Sequence, residues 1–151
     1  PTPVEFLKVV GQEVHRALQD VLRSDGWEVE VGVSLQLDGF VLRGRIDAVK
    51  EDAILEFKTV GSLPTDGPYS SHVLQAQAYL AMVGGSRAYL VYLSRNDGKV
   101  KVYRVDPNKQ ALKQVVERAK QLHQALKSGR PPQSTRGPWC EHCSFKLACR
   151  R

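Results

Sequence analysis

The sequence predicts an α/β fold built around a central mixed sheet. Three observations carry that expectation. Residues 3–24 repeat apolar side chains at helical spacing, residues 28–60 hold three strand-like segments joined by tight turns, and a helix and a further strand come next. The full order is helix, three strands, helix, strand, strand, helix and a cysteine-rich tail. It is not the strict βαβ alternation of a doubly wound nucleotide-binding fold, and no glycine-rich phosphate loop is present.

The first helix is read from Val4, Leu7, Gly11, Val14, Leu18, Val21 and Leu22. Thr2 caps it, Pro3 takes the first helical position, where a missing N–H costs nothing, and Ser24-Asp25-Gly26 stops it. "EVEVGVSLQL" (28–37) alternates strictly, with Val29, Val31, Val33, Leu35 and Leu37 on one face. Asp38-Gly39 is a two-residue hairpin signal, and "FVLRGRIDAV" (40–49) runs back. Lys50-Glu51-Asp52 turns into "AILEFKTV" (53–60). Gly61 to Tyr69 is too polar and too broken by Gly and Pro for regular structure. A short helix from about Ser71 to Val83 stops at Gly84-Gly85, and "RAYLVYLS" (87–94) reads as a buried strand. Asn96-Asp97-Gly98 turns into "KVKVYRV" (99–105). Asp106-Pro107 reads as the capped start of a last helix striped by Leu112, Val115, Ala119, Leu122 and Leu126. Residues 128–138 form an irregular linker. The expected organisation is a core of residues 1–128 with a cysteine-rich tail, 129–151, packed on it.

The chain has 151 residues, 42% hydrophobic and 25% charged, which suits one globular domain. No apolar run approaches the ~18 residues of a membrane span, so no membrane partner is expected. "PTPVEFLKVVGQEVH" lacks the basic start and apolar run of a secretory signal, and a cytoplasmic location is the expectation. The net charge of +6 is compatible with a polyanionic partner such as nucleic acid. Much of the excess falls after residue 126, as Lys127, Arg130, Arg136, Lys146, Arg150 and Arg151. All three cysteines, Cys140, Cys143 and Cys149, lie within ten residues. An odd, clustered set argues for metal ligation over a disulfide framework.

The candidate chemistry lies in "IDAVKEDAILEFK" (46–58). Glu56 and Lys58 are two apart on one strand, so they leave the sheet on the same face with Ile54, while Leu55 and Phe57 point into apolar packing. Asp47 is on the antiparallel neighbour, across a short turn. Two carboxylates that close raise the cost of ionising both, and a divalent cation removes that penalty. The ordinary alternative is a surface hairpin carrying a Glu–Lys pair. In the first helix His15 shares a face with Gly11, Leu18 and Leu22, which suits a ligand or a satisfied boundary residue. In the second helix Gln75 and Tyr79 are four apart, with His72 one turn earlier; they suit phosphate or metal-water contact, or plain helix surface.

Taken in order, "GQEVH" (11–15), "GRID" (44–47), "EFK" (56–58) and "QAQAY" (75–79) resemble the RecB-like branch of the PD-(D/E)XK nucleases. "WCEHCSFKLAC" (139–149) is similar to the iron–sulfur variant of that branch, which includes the CRISPR-associated RecB-like exonucleases. The resemblance implies a restriction-endonuclease-like αβββαβ core. It implies that His15, Asp47 and Glu56 ligate Mg²⁺ or Mn²⁺ with the backbone carbonyl of Phe57. Lys58 would orient or activate the attacking water, and Gln75 and Tyr79 would position the phosphate or support the metal site. Arg43 and Arg45, beside Asp47, are the candidate DNA contacts.

The three cysteines would hold a [4Fe–4S] cluster, with zinc as the alternative, shielded by Trp139 and Phe145. Both groups usually take four ligands, and no cysteine precedes Cys140. A cysteine before Pro1, a three-ligand cluster, or His142 are the options for the fourth. The implied function is metal-dependent hydrolysis of DNA, exonucleolytic on single-stranded or splayed ends, in CRISPR adaptation or recombination and repair. Helicase or CRISPR adaptation proteins would be separate chains. A catalytically silent DNA-binding or assembly module with a structural iron–sulfur or zinc site is the alternative, and a zinc-stapled structural protein a third.

Overall fold

The computed structural model describes residues 2–137, 140, 141 and 143–150. The chain divides into two compact units, Pro1–Val116 and Glu117–Arg151. The first begins with helix α1, Pro3–Ser24, whose start is a reciprocal cap. Thr2 Oγ1 accepts from the Glu5 amide at 3.2 Å, and a Glu5 carboxylate oxygen accepts from the Thr2 amide at 2.7 Å. Two of the amides that a helix start leaves unpaired are thereby satisfied.

The sheet has five strands in sequence order: β1 (Glu28–Leu37), β2 (Phe40–Lys50), β3 (Ala53–Val60), β4 (Arg87–Ser94) and β5 (Val100–Val105). All neighbours are antiparallel except β3 and β4, which are parallel. Helix α2, Ser70–Val83, makes that crossover, so the sheet is mixed for a reason visible in the connection. Asp38-Gly39 closes the first hairpin with Leu37 opposite Phe40 and Gly39 at φ 80°. Glu51-Asp52 closes the second, Lys50 opposite Ala53.

The core lies between α2 and one sheet face. Ile46, Ile54, Ala76, Tyr79, Leu80, Ala88, Leu90, Tyr92 and Val105 form one buried cluster. Ala88, Leu90 and Tyr92 alternate along β4 and point to the face under α2, with half-buried residues between them on the other face. On the other side, Val14 and Leu18 of α1 line a small apolar cleft with Phe57, Val91 and Leu93. The sheet is thus sandwiched between α1 and α2.

One irregularity positions everything that follows. The β1–β2 ladder runs from Glu28 opposite Val49 to the hairpin with one gap, where Glu30 would face Asp47, and β3–β4 pairs over all of β3. The β2–β3 ladder holds only Lys50–Ala53, Val49–Ile54 and Ala48–Leu55. It stops where Asp47 and Glu56 would pair next.

Helix α3 spans Lys109–Ser128 and begins later than Asp106-Pro107 suggested. Its cap is Asn108, whose Oδ1 accepts from the Ala111 amide at 2.9 Å. Asp106 is engaged elsewhere: its carboxylate accepts from Arg104 and its carbonyl from Gln77 Nε2, both at 2.8 Å. Leu112, Val115 and Ala119 are half-buried, whereas Leu122 and Leu126 at the far end of the stripe are exposed. In the second unit the tail ends in a 3₁₀ turn at Ala148–Arg150. No described helix is long and apolar enough to cross a membrane.

Candidate active site

The end of the β2–β3 ladder leaves two backbone amides without strand partners, and the two carboxylates take them. Glu56 Oε1 accepts from the Asp47 amide at 3.0 Å, and Asp47 Oδ2 accepts from the Phe57 amide at 2.7 Å. Each strand's carboxylate therefore pins the other strand's backbone. This leaves Asp47 Oδ1 and Glu56 Oε2 as the oxygens not committed to main chain. Asp47 Oδ1 lies 3.8 Å from His15 Nδ1, on the α1 side of the sheet, and the His15 ring stands 6.0 Å from that of Phe57. Glu56 Oε2 lies 3.3 Å from Lys58 Nζ.

A relay continues on the α2 side. Lys58 Nζ donates to Gln75 Oε1 at 2.5 Å, and Gln75 Nε2 donates to the Tyr79 hydroxyl at 3.3 Å. Gln75 and Tyr79 reach one site because they are four apart on α2. Tyr79 is seated by Gly44: a Cβ there would fall 2.4 Å from the tyrosine ring. Burial first, then the neighbouring Glu56 charge, pushes the Tyr79 hydroxyl above its ordinary pKa.

Glu56 is 3% exposed. Burial, and then the Asp47 carboxylate, push its pKa up from 4.5 to about 7, against the pull of Lys58. The two uncommitted oxygens are hard donors on adjacent strands, and Mg²⁺ is commonly held by one or two carboxylates with several waters retained. The donor set therefore fits a divalent cation on Asp47 and Glu56, with His15 adjacent. Among the described residues no three His, Cys, Asp or Glu side chains are grouped closely enough to hold a metal ion. Phe57, expected to contribute its carbonyl, is tied to Asp47 through its amide.

Around the carboxylates is a cleft of ≈ 810 Å³. It brings together His15, Arg45, Asp47, Glu56, Lys58, Gln75 and Tyr79. Arg43, two residues from Arg45 on the same strand, is exposed and does not line it. Arg45 Nε pairs with Glu30 at 2.7 Å, and Glu30 in turn accepts from Gln19 at 2.5 Å. Glu30 sits at φ 55°, an uncommon backbone for a residue other than glycine, and its carboxylate is gripped by α1 and β2 together. The cleft's α1 wall also holds Gln12, Arg16, Gln19 and Arg23, which sequence reasoning passed over. Their three- and four-residue spacing is a polar stripe beside the apolar one, and that was the signal available.

In the second unit, Cys140, Cys143 and Cys149 line a cavity of ≈ 480 Å³ with Ser134, Thr135, Arg136 and Lys146. None of the three cysteines is in a disulfide. The Gly137 amide lies 3.4 Å from Cys140 Sγ. Phe145, expected to shield a cluster, is instead 73% exposed, on the turn at 144–147. Trp139 and His142 lie outside the described residues.

The sequence model of the PD-(D/E)XK nuclease superfamily matches residues 4–150. The chain belongs to the PD-(D/E)XK nuclease superfamily. The crystal structure of SSO0001 is similar at 26% identity and a TM-score of 0.72, covering 95% of this chain and 69% of that one. An alkaline exonuclease from Laribacter hongkongensis, LHK-Exo, shares the fold at 16% identity and a TM-score of 0.55, covering 78% of this chain and 66% of that one. LHK-Exo in complex with dAMP is similar at 16% identity and a TM-score of 0.52, covering 79% of this chain and 72% of that one. The chain thus spans about two thirds of the length of these structures. No curated protein sequence matches it. The five-stranded mixed sheet flanked by α1 and α2 is the restriction-endonuclease-like fold expected of this superfamily.

Proposed function

We propose that this member of the nuclease superfamily is a divalent-metal-dependent deoxyribonuclease, exonucleolytic on single-stranded or splayed DNA ends. The observation that carries it is the carboxylate pair at the end of the β2–β3 ladder, with Lys58 beside it in one open cleft. Mg²⁺ or Mn²⁺ held there would supply an activated water and charge neutralisation at the phosphate. Asp47 and Glu56 would hold the ion, with His15 adjacent. Lys58, braced by Glu56 and Gln75, places an ammonium where charge develops on the phosphoryl oxygens. Tyr79, seated on Gly44, holds Gln75 in place. Arg45, Arg16 and Arg23 line the cleft or its wall paired with Glu30, Glu13 and Asp20, and would contact the DNA backbone by exchanging those partners for phosphates; Arg43 lies two residues from Arg45 on β2.

The tail is proposed to hold a structural metal group, a [4Fe–4S] cluster or zinc, on Cys140, Cys143 and Cys149. The three thiols around one cavity support it. This would place the chain in the RecB-like iron–sulfur branch, with a role in CRISPR adaptation or recombination and a cytoplasmic site of action beside a separate helicase or adaptation protein. A silent DNA-binding module is the competing reading.

The test is degradation of 5′- and 3′-labelled single-stranded and duplex DNA with Mg²⁺ or Mn²⁺, beside Asp47→Ala and Lys58→Ala. Metal-dependent shortening from an end by wild type alone supports the proposal. No cleavage with either metal, or equal cleavage by the variants, overturns it. Iron, sulfide and zinc analysis after anaerobic purification decides the tail.

A further inference from the structure

The cleft does not end at His15. A groove of ≈ 400 Å³ opens from it along the N-terminal half of α1 and shares Gln12 and His15 with the cleft as lining. The rest of its wall is Val4, Leu7, Lys8 and Gly11, with Thr59 and Arg95 on the sheet side. Helix α1 therefore lines both spaces, which meet at Gln12 and His15, along roughly 28 Å of its length from residue 4 to 23 at 1.5 Å per residue. The chemistry of the groove differs from that of the cleft. Its lining carries two cations, Lys8 and Arg95, and no carboxylate. Arg95 is fixed by Nη1 on the Thr59 carbonyl at 2.8 Å, so its charge is pre-positioned. Val4 and Leu7 are 62% and 44% exposed, an apolar surface set beside those charges.

We propose that this groove is a second strand-binding subsite, holding the nucleotides of a single DNA strand that lie beyond the scissile phosphate. The proposal rests on the nuclease reading of the cleft and names its substrate path. Lys8 and Arg95 take backbone phosphates, and Val4 and Leu7 take an unstacked base. A single strand suits the groove: cations that track a backbone bind such strands, and the aliphatic Val4 and Leu7 give a base van der Waals contact in place of the aromatic stacking that such sites often use. Gly11 lets the helix approach the sheet side of the groove closely, because a Cβ there would crowd Thr59 Oγ1 at 3.1 Å.

The experiment measures binding separately from cutting. Anisotropy of a fluorescent single strand in EDTA is compared for wild type, Lys8→Glu and Lys8→Ala, with a dinucleotide as the short ligand. Lys8 is exposed on a helix surface, so both variants fold. Affinity for the long strand falls roughly three- to tenfold in Lys8→Glu and less in Lys8→Ala, and the log–log salt slope drops by about 0.7 for the lost phosphate contact. Binding of the dinucleotide, too short to reach the groove, is the internal control. Equal affinity and slope for the long strand would overturn the subsite, whether or not the protein cuts DNA. A loss of affinity in a protein that cuts nothing would uphold the subsite and sink the nuclease reading instead.

Discussion

Replacing Glu56 by Gln should stabilise the metal-free fold while abolishing the proposed activity. In the folded protein the Glu56 pKa is pushed from 4.5 to about 7 by burial and by Asp47. A tenfold change in proton affinity is worth about 1.4 kcal/mol, so holding Glu56 ionised costs the fold about 3 kcal/mol above pH 7. The sign follows from proton counting. Between pH 4.5 and 7 the native state keeps the Glu56 proton that the unfolded chain has released, so stability falls as pH rises through that window. The amide introduced by Glu56→Gln has no such transition, and its carbonyl can still accept from the Asp47 amide. Denaturant unfolding in EDTA, run across pH for both proteins, isolates this group as their difference. The variant should gain on wild type steadily from pH 4.5 to about 7 and hold that gain above it. Mg²⁺ should narrow the gap by favouring the ionised carboxylate in wild type. A difference that is flat with pH, or runs the other way, refutes the assignment of Glu56 as a buried carboxylate awaiting a cation.

Lys58→Met should lower kcat on DNA by about a hundredfold or more, the scale of losing one charge-stabilising donor, with little change in KM. Gly44→Ala sets a methyl 2.4 Å from the Tyr79 ring, so it should cost about 1–3 kcal/mol in urea unfolding and reduce activity as Tyr79 shifts. Asn108→Ala removes the cap of α3 and should cost about 1 kcal/mol in the same unfolding assay, while leaving DNA cleavage unchanged.

Much of this fold was legible because its signals are local. The apolar spacing in α1, the Thr2 cap and the Asp38-Gly39 hairpin each depend on a few adjacent residues, and the structure carries all three, adding Glu5 as the reciprocal partner of the cap. The start of α3 was misread for the same reason. Asp106 looks like a cap in sequence, yet its carboxylate goes to Arg104 and its carbonyl to Gln77, an α2 residue twenty-nine positions away. At the site, the sequence placed Asp47 near Glu56 across a turn. It carried no sign that the ladder stops there and that each carboxylate caps the other strand's amide. That depends on contacts between two strands beyond the turn, which the local pattern of either strand does not carry. Gly44 was visible as a residue but not as the seat of Tyr79, because the contact joins β2 to α2.

The central claim is that Asp47 and Glu56 share one divalent ion. Mn²⁺ titration followed by EPR measures it directly. Wild type should bind one Mn²⁺ that is lost in Asp47→Asn and in Glu56→Gln and retained in Arg43→Ala. Undiminished Mn²⁺ binding by both carboxylate variants, or none by wild type, would contradict the account.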